Sequence, residues 1–292
     1  VSQDESELEA SRAPLLDHLT ELRTRLIWAV VAFAAAFALC FGFGRQIYLF
    51  LLHPYVVAGA LMAAQKAGGG HIGPFDLVLA LTGFKAVAVT GAPMRLISTG
   101  PLEIFFTQMK LAGFGAIALS FPVLAGQIYA FVAPGLYRKE RKAFLPFLLA
   151  TPVLFLMGAA LVYYLMFPFV LWFSLSQQIV DPNIQVDLLP KISDYMTLMT
   201  QMLLAFGLCF QLPVVLSLAG LAGLISSKTL ATGRRYAVVA IVFLAAIVTP
   251  PDPISQIMLS IPLYLLYEVS IWCVRLMELR RKKAEAAEAL VP

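Results

Sequence analysis

Apolar residues in this chain gather into long unbroken runs, separated by short stretches where charge, proline and glycine cluster. Runs of that length fit membrane helices better than the alternating blocks of a half-buried strand. Six spans are predicted, at about 26–43 ("LIWAVVAFAAAFALCFGF"), 104–133, 144–174, 196–224, 236–248 and 256–274. The fifth is short, because the residues of 236–248 rise about 20 Å against a hydrocarbon core of about 30 Å. A re-entrant hairpin of the last two segments is the alternative, but the sixth run is of nearly normal length, which favours two short spans. A further apolar stretch, "LVLALTGFKAVAV" at 77–89, is too short to cross and holds Lys85 near its middle. It is read as part of a long external loop, about 45–103, in which "KAGGGHIGPFD" (66–76) has the glycine content of a flexible insertion.

Ahead of the first span the pattern turns periodic. Leu15, Leu19, Leu22 and Leu26 recur at three- and four-residue steps, which makes an apolar helical stripe. Asp17, Glu21 and Arg25 stack on another face, where Glu21 and Arg25 can pair. Seven prolines lie in or beside the long spans: Pro122, Pro134, Pro146, Pro152, Pro168, Pro213 and Pro262. Each interior proline removes a backbone hydrogen bond, so bent helices around a concave surface are expected. No internal repeat is evident, which counts against inverted-repeat carriers.

Composition and charge sharpen this picture. The chain has 292 residues, 60% of them hydrophobic and 13% charged, with a mean hydropathy of +0.85. Such a balance belongs to an integral membrane protein rather than a soluble domain. With six spans and an internal N-terminus, the 21 lysines and arginines divide 15 inside to 6 outside. A seventh span at 77–89 would put "YRKERK" and "RRKK" on opposite sides of the bilayer, against the positive-inside rule. One transmembrane domain over 1–280 and a charged cytoplasmic tail over 281–292 are expected, with both termini cytoplasmic. The acidic, polar N-terminus does not resemble a cleavable signal. No soluble basic domain exists to bind nucleic acid.

Chemistry of the enzymatic kind is not suggested. Metalloprotease, nucleophile-elbow and phosphate-loop signatures are missing, and His18, His53 and His71 are scattered. Cys40, Cys209 and Cys273 each sit in an apolar run without metal or redox spacing, as packing residues do. Neither metal nor cofactor is expected. The informative residues are polar groups near the membrane faces. Glu21 beside Arg25 can be a plain interfacial ion pair of little energetic worth. In "APGLYRKERKAFLPF" (133–147) the orientation rule explains the basic residues but leaves the lone Glu140 less well explained. "VTPPDPISQ" (248–256) reads as a rigid outside turn bearing Asp252 between Thr249 and Gln256. Gln211 in "FGLCFQLPVV" needs a partner inside hydrocarbon, either another helix or a carbonyl freed by Pro213. Glu268 is the one carboxylate well inside a predicted span, which makes it a functional candidate by default.

Taken in order, "HLTELRTRL", "FVAPGLYRKER", "FGLCFQLPV" and "TPPDPISQ" resemble the TatC family, the largest core subunit of the twin-arginine protein translocase. The resemblance runs from about residue 15 to 275 and implies an all-α membrane protein, six transmembrane helices in a cupped, glove-like bundle in the bacterial inner membrane. It implies a receptor for signal peptides with consecutive arginines, which exports folded proteins on the proton-motive force with the single-span partners TatA and TatB. A homo-oligomer within a TatB–TatC receptor complex is also implied. By position, Glu21 and Glu140 would hold the arginine pair, while His18, Leu22, Arg23, Phe131, Pro134, Leu136, Tyr137 and Arg141 would build the same surface. Pro250, Pro251 and Asp252 match the family's external turn, and Gln211, Thr249 and Gln256 fall where a partner helix would make contact. Two guanidinium groups suit such a site, being planar, permanently charged forks that carboxylates accept bidentately. Many relatives carry glutamate where this chain has Gln211, and an amide cannot accept a proton there. The competing readings are a proton- or ion-coupled small-solute carrier, which would place charge near the midplane, and an assembly scaffold without receptor function.

Overall fold

The computed structural model describes residues 3–66, 73–85, 96–132, 141–177, 179–181, 184–186, 190–221, 223–248 and 253–288, with no side-chain account at 3–18, 66, 129–132, 141–149, 179–181, 184–186, 254–255 and 281–288. Eleven helices follow in order among these residues. They are α1 (Gln3–Gly42), α2 (Gly44–Lys66), α3 (Pro74–Leu81), α4 (Glu103–Val132), α5 (Arg141–Leu161), α6 (Phe167–Ser176), α7 (Ile192–Cys209), α8 (Leu212–Leu221), α9 (Ser227–Thr232), α10 (Arg234–Val248) and α11 (Pro253–Glu288). A π-helical turn, Val162–Met166, joins α5 to α6. The only paired strands among the described residues are β1 (Ile179–Asp181) and β2 (Ile184–Val186), a small antiparallel hairpin. The all-α membrane class holds.

Six helical stretches among the described residues are long and apolar enough to cross a membrane: 19–42, 44–65, 103–128, 150–176, 192–221 and 256–280. The number matches the sequence reading, but the membership does not. The region 45–103 is not a plain loop, since it contains α2 and α3. At the other end of the chain α10 has 15 residues and falls short of that length, whereas α11 is a 36-residue helix rather than a short one.

Contacts show where α2 goes. Phe50 stacks on Tyr163, Tyr55 meets Tyr195, and the later Ala58, Leu61 and Met62 line one small pocket with Trp172 and Leu175. Successive α2 residues thus climb along α6 in the direction α1 was already taking, instead of turning back through the bundle. α2 caps one end of the spans. Its interior Pro54 has no N–H to give the carbonyl of Phe50. The Tyr163 hydroxyl donates to that carbonyl at 2.8 Å, and the Tyr195 hydroxyl donates to the next one, Leu51, at 2.9 Å. The π turn has a similar origin, because Pro168 leaves the Tyr164 carbonyl without its helical donor and the backbone widens there.

The central helix is α7. Half of the apolar window of 192–221 is buried, against 11% for that of 19–42. Met196, Met199, Met202, Leu203 and Phe206 fill the core between α4 and α5. The α5–α7 crossing is close because glycines line it. A Cβ on Gly158 would come within 2.7 Å of the Phe206 carbonyl, and one on Gly207 within 2.6 Å of the Phe155 ring. From there the helices run outward in an open row, with α1 lying against α4 on one flank and α8, α11 and α10 following on the other.

Candidate functional site

Antiparallel packing of α1 on α4 sets the level of the first candidate residues. Cys40 packs against Gly115, and Phe41 against Phe105 with ring centroids 6.4 Å apart. Glu21 and Val132 each lie some seventeen to nineteen residues beyond that contact, or about 26–28 Å along their helices. The end of α4 therefore stands level with Glu21. Glu21 accepts a hydrogen bond from Arg25 Nε at 3.0 Å and a second from its terminal nitrogen. Leu19, Leu22 and Leu26 are 58%, 41% and 60% exposed, so the apolar stripe of α1 faces away from the bundle. Arg23 is exposed beside it. Pro134, Leu136, Tyr137 and Glu140 lie outside the described residues. His18, Phe131 and Arg141 belong to α1, α4 and α5, without a side-chain account.

Gln211 sits where α7 stops and α8 begins. Its N–H bonds Leu208 at 2.9 Å instead of Gly207, so the Gly207 carbonyl loses its helical donor. The side-chain amide fills that gap, donating to Gly207 at 3.4 Å and across to the Thr151 carbonyl of α5 at 3.0 Å. Only 8% of the residue is exposed, and its Oε1 has no hydrogen-bond partner among the described residues. The amide thus bonds another helix, as one of the sequence alternatives had it, while the carbonyl it caps on its own helix, Gly207, is not the one that Pro213 frees.

At the far edge of the row, Gln256 donates to the Val242 carbonyl at 3.2 Å and borders an apolar groove between α10 and α11 that includes Val238, Ile257 and Ile261. Thr249, Pro250, Pro251 and Asp252 lie outside the described residues. Glu268 is paired: Arg234 grips it bidentately at 2.7 and 2.9 Å, and Tyr264 donates to it at 2.9 Å. This arrangement ties the start of α10 to α11 and leaves no bare midplane charge at that position.

Other residues matter that sequence reasoning passed over. Glu103 accepts from the N–H groups of Thr99 and Gly100 at 2.6 and 3.2 Å and from Ser193 N–H at 3.4 Å, joining the start of α4 to that of α7. A backbone bridge between Ile97 and Lys191 reinforces the joint. Glu103 just after "STGP" was a readable helix-start signal, but its reach to residue 193 was not. Among the described residues no group of three or more potential metal ligands occurs.

The family model for "Sec-independent protein translocase protein (TatC)" matches residues 17–262. The chain belongs to the TatC family. A Sec-independent protein translocase protein TatC of Magnetococcus marinus is 40% identical over 95% of this chain and 89% of its own length. Its counterpart in Rickettsia prowazekii is 36% identical over 87% of this chain and 90% of its own. The crystal structure titled twin arginine translocase receptor TatC, in DDM, superposes with a TM-score of 0.67 at 29% identity, covering 87% of this chain and 98% of that one. As a TatC protein, the chain is a multi-pass membrane component of a protein-transport system, and the cupped six-helix architecture is that of the family.

Proposed function

We propose that this chain is the signal-peptide receptor and core subunit of a twin-arginine translocase in a bacterial inner membrane, with both termini cytoplasmic. The observation that carries the reading is the levelling of Glu21 with the end of α4, which leads directly into the segment holding Glu140. In this reading Glu21 and Glu140 share the paired guanidinium groups of the peptide. His18, Leu22, Arg23, Phe131, Pro134, Leu136, Tyr137 and Arg141 form the surrounding surface. Arg25 pairs with Glu21 in the absence of peptide and yields to the incoming fork, since an i,i+4 helix pair is worth only about 0.3–0.5 kcal/mol. The exposed Leu19–Leu22–Leu26 stripe then offers an apolar track to the hydrophobic part of the peptide.

Partners follow from the other edge. A single-span TatA or TatB helix would occupy the α10–α11 groove, with Gln256 and Thr249 as its polar contacts and Pro250, Pro251 and Asp252 holding the turn above it. Gln211 enters that assembly through the break it stabilises between α7 and α8. Homo-oligomers of the TatB–TatC unit, contact with membrane lipids and use of the proton-motive force complete the proposal.

Glu21→Ala tests it. Affinity of the purified protein for an Arg-Arg signal peptide is expected to fall by roughly tenfold or more, the scale of one charge-assisted bidentate pair. Unfolding temperature should stay put. Unchanged affinity in both this variant and Glu140→Ala would defeat the proposal and leave the scaffold reading standing.

A further inference from the structure

The short helix α9 and the first turn of α10 enclose a polar cleft lined by Ser226, Lys228, Thr229, Thr232, Gly233 and Tyr236. Among the described residues no carboxylate lines it. Two acids near it in the fold are already committed: Glu278 binds the Ser227 N–H at 2.8 Å and the Ser227 hydroxyl, and Glu268 holds Arg234. Among the described residues neither Lys228 nor Arg235 forms a salt bridge, and both are exposed. Arg235 lies 4.7 Å from the centre of the Tyr236 ring and donates to its hydroxyl at 3.0 Å. The hydroxyls retain capacity as well. Ser226 and Thr229 share one hydrogen bond at 2.8 Å, which uses one of their two hydrogens and leaves the other to donate. The Thr232 hydroxyl donates to the Lys228 carbonyl, which fixes the cleft wall.

An apolar track leaves this cleft in one direction. Tyr236, Val239, Phe243 and Ile247 succeed one another at helical spacing on α10 and are 66%, 68%, 66% and 58% exposed. The cleft thus stands at the polar end of a lipid-facing stripe, and α10 is short enough to draw the bilayer surface toward it. Cations without acidic partners and a spare hydroxyl beside an apolar strip match a ligand with a phosphate at one end and hydrocarbon at the other.

We propose that the α9–α10 cleft seats the phosphate of an anionic phospholipid, with its chains along the α10 stripe. Lys228 supplies charge from the wall and Arg235 from beside Tyr236, the Ser226–Thr229 pair supplies a donor, and the Tyr236 ring marks the boundary between head and tail. This site lies apart from the peptide surface and from the α10–α11 groove, and it does not depend on either.

The test is native mass spectrometry of the full detergent-purified chain with palmitoyl-oleoyl-phosphatidylglycerol or the matching phosphatidylcholine. Phosphatidylglycerol should be retained preferentially, and each cation removed in Lys228→Gln and Arg235→Gln should lower retention roughly fivefold. Lys228→Arg/Arg235→Lys, which keeps both charges, should restore it, whereas Arg280→Gln, at the same end of the bundle but off the cleft, should change nothing. Equal loss in Arg280→Gln would mean diffuse attraction and would overturn the site. Displacement of the lipid by excess inorganic phosphate would reassign the cleft to a soluble phosphate and overturn the lipid proposal. Equal retention of the two lipids by the unmodified chain would overturn it whatever the variants do.

Discussion

At Gln211 one amide does the work of a missing backbone bond, reaching Gly207 on its own helix and Thr151 on α5. The sequence showed that an amide in hydrocarbon must find partners; it could not show which, because the carbonyl at fault arises from a backbone turn at Phe210–Gln211. Gln211→Leu removes both donors, leaving the Thr151 carbonyl to its own helix and the Gly207 carbonyl without its substitute donor. A cost of about 1 kcal/mol in stability is expected, as for interhelical polar contacts in membranes. Loosening of the α7–α8 break should reduce co-purification of TatB more than peptide affinity; the reverse order would remove Gln211 from the partner surface. Glu268 teaches the complementary lesson. Its position marked it as functional by default, yet its partner Arg234, 34 residues earlier, was already among the basic residues counted for topology.

Among the elements, α2 was the least legible. Arg45, His53 and Pro54 interrupt its apolar pattern, and a segment that caps a bundle needs only one buried face. Leu51, Tyr55, Ala58 and Leu61 supply that face, each nearly fully buried. What holds it is tertiary: two tyrosine hydroxyls from distant helices satisfy adjacent carbonyls next to a proline. Tyr195→Phe leaves the Leu51 carbonyl buried without that donor and should cost about 1–2 kcal/mol. Hydrogen exchange should then quicken over 48–62 while staying slow in the α7 core. Uniform exchange throughout would show that the hydroxyl does not pin the cap. By contrast α4, α7 taken with α8, and α11 were readable, since each stretch is apolar over more than a span's length.

For the whole molecule, the class and the chain order of five spans came from run length and charge asymmetry, and the resemblance gave the cupped shape. The proposed peptide surface was legible only as residue types, because whether two carboxylates far apart in the chain converge is a tertiary property that no local pattern encodes. One further property follows from α1. Between Leu15 and Gly42 this helix has neither proline nor glycine before its end, and it ends in a break at Phe43 beside the α2 cap. Such an element transmits displacement rather than absorbing it. Ala34→Gly with Ala35→Gly would soften its middle at about 1 kcal/mol per site. Peptide affinity is expected to hold while export by reconstituted vesicles drops; undiminished export would mean that stiffness is irrelevant. α4 is its main neighbour and α2 meets it at its end, so under the proposed function a pull of the peptide at the Glu21 end would be carried to the cap at the other.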